Sequence, residues 1–294
     1  MCDNPVMVAD VKGFEFIPAP CGKCPPCLKR RVDSWVFRLQ EEDKISSSSH
    51  FVTLTYGTLS VPLTKNGFMT LHRSDFQNFM KRLRKSTGYK IRYYAVGEYG
   101  EKNHRPHYHA IIFGCKTAAS YQDAWALTKR AWMKKYRPHY DPFPDLSDSE
   151  KVRIGSVHVG QVSGDSIAYT AKYMQKKRRI RKHMREDFIP EFSCMSQRLG
   201  ESYLTPERIA YHKRNLDKLY LVKPGGHRIA MPRYYRDRIF SDEEKDLQLQ
   251  LVHDAMNSKF QEDLEFCKRN GRDYLEWFGD QVRGRRYKFN VHNS

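Results

Sequence analysis

Residues 107–113 read His-Tyr-His-Ala-Ile-Ile-Phe, and no other run constrains the fold of this chain so tightly. The stretch Ala110 to Phe113 is continuous and apolar, the composition of a strand covered on both faces. Such a strand belongs in the middle of a sheet. Side chains on a strand alternate with period two, so His107 and His109 point the same way. Both can then donate nitrogen to one divalent metal. Sixty residues beyond His109, Tyr169-Thr-Ala-Lys172-Tyr173 spaces two phenols four apart. That spacing stacks them on one face of a helix, with Lys172 beside them.

Hydrophobic periodicity places the surrounding elements. Val32, Trp35, Val36 and Leu39 recur at helical spacing between Lys29 and Asp43, and the serines at 46 to 49 break the pattern. Phe51 to Tyr56 alternates as a strand. Ser74 with Gln77 reads as a capping box for a helix whose face carries Phe76, Phe79, Met80 and Leu83 and which Gly88 ends. Ile91 to Gly97 and His107 to Gly114 read as strands, Ser120 to Lys135 as a helix, and Val152 to Val162 as a strand. Ser163 caps a further helix through Lys177. The order β-α-β-β-α-β-α predicts an α+β fold, with an antiparallel sheet and two helices on one face. Ser241 and Glu244 open another capped helix, with Leu247, Leu251, Ala255 and Met256 on its face. Three segments follow: 1–49 with a cysteine cluster and helix, 50–185 as the central domain, and 186–294 as a basic, mostly helical region.

The net charge of +18 over 294 residues fits a polyanionic partner better than a small neutral substrate. Aromatic residues make up 13 % of the chain, enough to stack on unpaired bases as well as to fill a core. No stretch approaches the ~20 apolar residues that span a bilayer, and the N-terminus lacks a signal-peptide apolar core. A soluble, intracellular protein without membrane contact is expected.

The chemistry follows from residue types. Glu98 precedes the histidines on the neighbouring strand, and a hairpin between 97 and 107 brings its carboxylate against them. Glu101 is the fallback carboxylate, and His104 a less favoured third ligand. Two imidazoles and a carboxylate leave open positions that suit Mg2+ or Mn2+, although the ligand types also admit zinc. On a helical wheel Tyr169, Lys172, Tyr173 and Lys176 share a sector, opposite Ile167, Ala171 and Met174. The apolar side then docks on the sheet and the phenols face outward. Directly after them, Lys176, Lys177, Arg178, Arg179, Arg181 and Lys182 form a basic run suited to tracking phosphates. Tyr234-Tyr235-Arg236 is a further candidate for contact with DNA.

Phe51-Val-Thr-Leu-Thr55, Arg105-Pro-His107-Tyr-His109 and Tyr169-x-x-Lys172-Tyr173 together resemble the three ordered motifs of HUH endonucleases that initiate rolling-circle replication. The histidines precede the tyrosines, as in replication initiators. With Pro20-Cys-Gly-Lys-Cys-Pro-Pro-Cys27, the resemblance extends to the gokushovirus branch of the microviruses and covers about residues 20 to 180. It implies a ferredoxin- or RRM-like HUH fold and metal-dependent nicking of single-stranded DNA at a replication origin. It further implies a 5′-phosphotyrosine intermediate with two alternating tyrosines, in the cytoplasm of a bacterial host. Host polymerase extends the free 3′ end. No Walker-type phosphate loop is present, so unwinding falls to a host helicase. The alternatives are a basic single-stranded nucleic-acid-binding module without catalysis and an HUH transposase or relaxase.

Seven cysteines are present, and an intracellular setting favours reduced thiols over disulfides. Cys21, Cys24 and Cys27 supply three ligands of a structural Zn2+ site, one short of a tetrahedral set. Cys2 or a histidine such as His50 completes it. Cys115, Cys194 and Cys267 read as small buried hydrophobes.

Overall fold

The computed structural model of the chain describes residues 2–9, 16–115, 121–135, 151–164, 167, 170–171, 187–223 and 225–291. Its contacts divide into two compact units, Val36–Ser202 and a second made of Met1–Trp35 with Tyr203–Ser294.

The first unit is built on a five-stranded sheet. Its strands are β3 (Ser49–Tyr56), β4 (Arg92–Tyr99), β5 (Pro106–Phe113), β8 (Gly155–Gln161) and β9 (Phe192–Met195). They lie in the order β8-β3-β5-β4-β9, and every pairing is antiparallel. The strand with the two histidines is therefore the central one, as its apolar run requires. Between β3 and β4 lies α2 (Arg73–Thr87), and after β5 comes α3 (Tyr121–Ala131). Both pack on one face. Val52, Leu54 and Tyr56 of β3 and Tyr108, Ala110 and Ile112 of β5 form one buried cluster with Phe76, Phe79, Met80, Ala124 and Trp132. Three aromatic pairs knit this layer: Tyr56–Trp132 at 5.4 Å, Phe76–Tyr108 at 5.4 Å and Phe79–Trp132 at 6.0 Å between ring centroids.

The opposite face carries Tyr94, Val96, Ile111 and Phe113, all buried. The helix α1 (Pro25–Ile45) contributes to this second layer through Glu42, which pairs with Arg92 of β4 at 3.0 Å. Gly164 opens a helical segment on the same side, since a Cβ placed there would stand 4.0 Å from the Gln40 side chain of α1. On that segment Ile167 and Ala171 are buried, as the apolar stripe predicts, and so is Thr170.

Several expectations are corrected. Ser74 does not cap α2. His72 is the N-cap residue, and its carbonyl is taken by the Tyr108 hydroxyl at 2.8 Å, which fixes the chain one turn earlier. Gly88 ends the helix in the left-handed region, φ 71°, as expected. The stretch expected to be helical to Lys135 stops at Ala131. Trp132 turns into the core, and Met133–Lys135 (β6) instead pairs with Lys151–Arg153 (β7). The strand expected over 152–162 accordingly breaks after Arg153. Gly155 approaches β3 so closely that a Cβ would sit 1.8 Å from the Thr55 carbonyl oxygen, so no other residue fits. The fifth strand, β9, lies beyond residue 185 and extends the first unit to Ser202.

The second unit contains two hairpins, β1 (Val6–Ala9) with β2 (Phe16–Ala19) and β10 (Tyr220–Val222) with β11 (Arg228–Ala230). Its helices are α4 (Pro206–Arg214), α5 (Arg233–Ile239), α6 (Asp242–Arg269) and α7 (Tyr274–Val291). Ser241 and Glu244 do form a capping box on α6. That helix buries Gln248 and Cys267, whereas the predicted apolar residues Leu247, Leu251 and Met256 are exposed. No described helix is long and apolar enough to cross a membrane.

The Tyr108 hydroxyl is fully buried. It contacts the Tyr56 hydroxyl at 2.9 Å, donates to the His72 carbonyl and accepts from the His72 N–H at 3.1 Å. Replacement of Tyr108 by Phe strands these groups. It should lower the unfolding free energy by about 2 kcal/mol at unchanged denaturant slope. A loss below about 0.5 kcal/mol would show that water or side-chain shifts replace the network.

Candidate active site

The sheet register builds this site. Glu98 of β4 is the cross-strand partner of His107, and Thr53 of β3 is the partner of His109. The His107 Nε2 lies 2.7 Å and the His109 Nε2 3.1 Å from the same oxygen, Glu98 Oε1. The three potential ligand atoms all fall within 4.8 Å of one another. Glu98 and His109 are buried, and the His107 side chain keeps 15 % exposure toward solvent.

What aims both Nε2 atoms inward is the fixing of both Nδ1 atoms from behind. The His107 Nδ1 faces the Arg105 carbonyl at 3.1 Å, and the His109 Nδ1 faces Thr53 Oγ1 at 3.0 Å. Arg105 is in turn held by the Tyr56 carbonyl and Thr58 Oγ1. Phe51 stacks on the His109 ring at 5.5 Å. This orientation of an imidazole by a hydrogen bond to its far nitrogen is what metal-ligating histidines need. Gly97, between Val96 and Glu98, is required for packing: a Cβ there would meet Leu71, Phe192 and Tyr108 at 3.1 to 3.2 Å. Hence Tyr108 can lie flat against β4 while its two neighbours face the opposite way.

Burial opposes charge on both partners of the closest pair. Even so, the hydrogen bonds and charges of His107 and His109 outweigh it and hold the Glu98 carboxyl below its ordinary range. Burial likewise disfavours the charged His107 imidazole. The hydrogen bonds to Glu98 and to the Arg105 carbonyl, with the Glu98 and Glu191 charges, prevail and raise it.

Glu191 was not legible as a site residue. It accepts the Tyr99 N–H at 3.3 Å, one step beyond the Gly97–Phe192 pair of β4 and β9. Only that strand pairing brings it to the cluster, and the short Phe192–Met195 run gives too weak a pattern to announce it. Glu101 and His104 lie exposed in the turn between β4 and β5, outside the ligand cluster, with His104 at φ 50°. Glu98 is therefore the carboxylate that the fold brings to the histidines.

Tyr169, Lys172 and Tyr173 lie outside the described residues, as do Lys176, Lys177, Arg178, Arg179, Arg181 and Lys182. Tyr235 is fully buried against Tyr203 at 4.9 Å, so it is not available to stack on bases. Cys21, Cys24 and Cys27 meet Cys2, with all four sulfurs within 4.8 Å of one another, while His50 sits on β3. The Lys23 and Cys24 N–H groups draw the Cys21 thiol down to about 6, and burial pushes Cys27 up to about 12. Cys115 and Cys267 are buried as expected, and Cys194 is half-buried on β9.

Two predictions follow from this geometry. A carboxyl whose pKa falls on folding contributes stability above its unfolded value near ~4.3, and loses it as pH drops through the folded value. An imidazole whose pKa rises contributes below its unfolded value near ~6.5, and loses it as pH climbs through the folded value. The metal-free protein should thus gain most from the Glu98–His107 pair between about pH 4.3 and 6.5. The unfolding free-energy difference between the wild type and Glu98→Gln should peak in that window, and a flat difference would refute the pairing. In addition, Thr53→Val should weaken Mn2+ binding by roughly 10- to 100-fold in a calorimetric titration, while circular dichroism stays unchanged.

The family described as Replication-associated protein ORF2 has a sequence model that matches residues 49–178, from the start of β3 past Tyr173. The chain is 28% identical over 243 residues to the Replication-associated protein VP4 of Bdellovibrio phage phiMH2K, an alignment covering 78% of this chain and 68% of that protein. It is 29% identical over 235 residues to the Replication-associated protein ORF4 of Chlamydia phage 1, covering 77% and 54% respectively. To the Replication-associated protein ORF2 of Spiroplasma virus 4 it is 26% identical over 283 residues, covering 89% and 80%. The match thus spans about half the length of the Chlamydia phage 1 protein. No solved structure matches the chain.

Proposed function

We propose that this chain, which resembles the replication-associated proteins of these phages, initiates rolling-circle replication. In this reading it nicks one DNA strand at the origin and keeps the broken end on a tyrosine. The observation that carries it is the convergence of His107 Nε2, His109 Nε2 and a Glu98 oxygen on adjacent strands, with both rings locked from behind.

These three residues are a fit for Mg2+ or Mn2+, because they offer a hard carboxylate, two borderline imidazoles and room for further ligands. A bound divalent cation would supply Lewis acidity at a scissile phosphate oxygen. The chain's own groups do the rest. A phenol with an ordinary pKa near ~10 is a weak nucleophile at neutral pH, and the Lys172 ammonium beside it favours the phenolate or holds the phosphate. Attack by the oxygen of Tyr169 or Tyr173 forms the tyrosine–phosphate bond and breaks the bond to the 3′ oxygen. The phenol's proton ends on the released 3′-OH, which host polymerase extends.

The second tyrosine then cleaves the regenerated origin. The new 3′-OH attacks the first phosphotyrosine, closing the displaced strand and freeing the first phenol. The bond energy is conserved in the phosphotyrosine, so rejoining needs no nucleotide. The buried Ile167 and Ala171 support an outward-facing tyrosine sector, because they occupy the opposite side of the same helical repeat. The basic run at 176–182 is suited to hold the strand's phosphates, and a host helicase to open the duplex.

Incubation with origin-containing single-stranded DNA and Mn2+ should give a protein–DNA adduct that survives denaturation. Tyr169→Phe and Tyr173→Phe should each retain part of the yield, the double variant none, and His107→Ala should abolish metal-dependent cleavage. Tight binding with no adduct under any metal would leave a binding module and end the nickase reading. Persistence of the adduct in the double tyrosine variant would assign the nucleophile elsewhere.

A further inference from the structure

Four cysteines take no part in the chemistry above, yet the fold of the second unit gathers them at one point. Cys2 lies four residues before β1, Cys21 and Cys24 follow β2, and Cys27 sits in the first turn of α1. We propose that Cys2, Cys21, Cys24 and Cys27 bind one structural Zn2+ ion as a tetrathiolate, fastening the β1–β2 hairpin to the start of α1.

The distances suit an ion at the centre. The Cys2 and Cys24 sulfurs are 3.7 Å apart. A tetrahedron with Zn–S bonds of about 2.3 Å has sulfur–sulfur edges of about 3.8 Å. A disulfide would require about 2.05 Å. The loop is shaped like a ligand knuckle. Gly22, at φ 70°, turns the chain so that the Lys23 and Cys24 N–H groups point at Cys21 Sγ, at 3.4 and 3.3 Å. The Cys21 N–H points at Cys2 Sγ and the Asp3 N–H at Cys24 Sγ, at 3.3 and 3.4 Å. Backbone donors aimed at sulfur stabilise thiolate over thiol. The sulfurs also cluster at the positive end of α1, whose first turn holds no acidic residue. Nearby Lys23 and Arg286 line the adjoining cavity, which has a volume of about 420 Å3, and offset the negative charge of a tetrathiolate.

The hairpin needs such a fastening. Val6, Met7, Val8 and Phe16 are all exposed, so β1 and β2 have little core of their own. A two-stranded hairpin without one is marginal in water. Apart from the site, one ion pair among the described residues ties this segment down, Asp3 to Arg285 of α7 at 2.8 Å. Four soft thiolates select zinc over the hard cations proposed for the histidine site. Each thiol that binds gives its proton to solvent as the Zn–S bond forms, with no change in oxidation state.

Purified full-length protein, kept reduced and free of chelator, should contain about one zinc per chain by elemental mass spectrometry. His107→Ala should leave that zinc in place, whereas Cys2→Ser and Cys24→Ser should each lower it at least about tenfold under a competing chelator. Because those variants can misfold, the wild-type protein supplies a second readout. In the zinc-loaded protein, thiol labelling followed by peptide mapping should spare these four cysteines, and a strong chelator should expose them together. A zinc-free protein, iron in place of zinc, early labelling of the four thiols, or zinc lost with His107→Ala but kept in both cysteine variants would overturn the assignment.

Discussion

The hydroxyl of Tyr108 is the point on which the geometry of this protein hangs. It sits in the fully buried layer beneath the sheet, bonded to both backbone groups of His72 and to Tyr56. Its position fixes the register of β5 against β3 and β4. A slip of one residue along a strand turns every side chain to the other face. Were β5 to slip, the imidazoles would enter the aromatic core and the phenol would enter the metal cluster. Burying one residue firmly therefore orients the two beside it, without any contact to them.

A second constraint is that the proposed metal ligands are satisfied by one another. Two ring nitrogens share a single oxygen of Glu98, and the charges hold its carboxyl ionised despite burial. A buried carboxylate without such partners would be costly. The cluster can thus persist in the absence of cation, ready-made, with the sheet rather than the ion supplying its order. Binding a cation replaces protons and hydrogen bonds without rebuilding the backbone, which favours a site on strands over one on loops.

Much of this was written in short-range pattern. The central strand, the pair of histidines on one face and the hairpin that brings in Glu98 all follow from period-two alternation and an apolar run. The Gly88 stop and the Ser241 capping box are local chemistry and read directly. The failures share a cause, in that long-range contacts decided them. The Ser74 capping box gave way to a tyrosine hydroxyl 36 residues away in sequence, which claimed the His72 carbonyl. The end of α3 was overruled by the burial of Trp132 and by a pairing with residues 151–153. Glu191 enters the cluster because β9 joins the sheet, and four weakly patterned residues cannot announce a partner strand so distant. Cys2 was one of two candidates for the fourth thiolate position. Only the folding back of the N-terminal hairpin singles it out.

The order of strands has an implication for how the molecule can be dissected. The chain leaves the sheet at β8, on one edge, and re-enters at β9, on the other, about 19 Å away across four inter-strand spacings. The stretch carrying both phenols and the basic run is therefore a bridge with footings on opposite margins of the platform, rather than a tail hung from one side. A fragment trimmed to the recognisable motifs, ending at 185, would retain every named side chain yet remove the far footing and bare the rim of β4. An autonomous catalytic fragment has to run through Ser202.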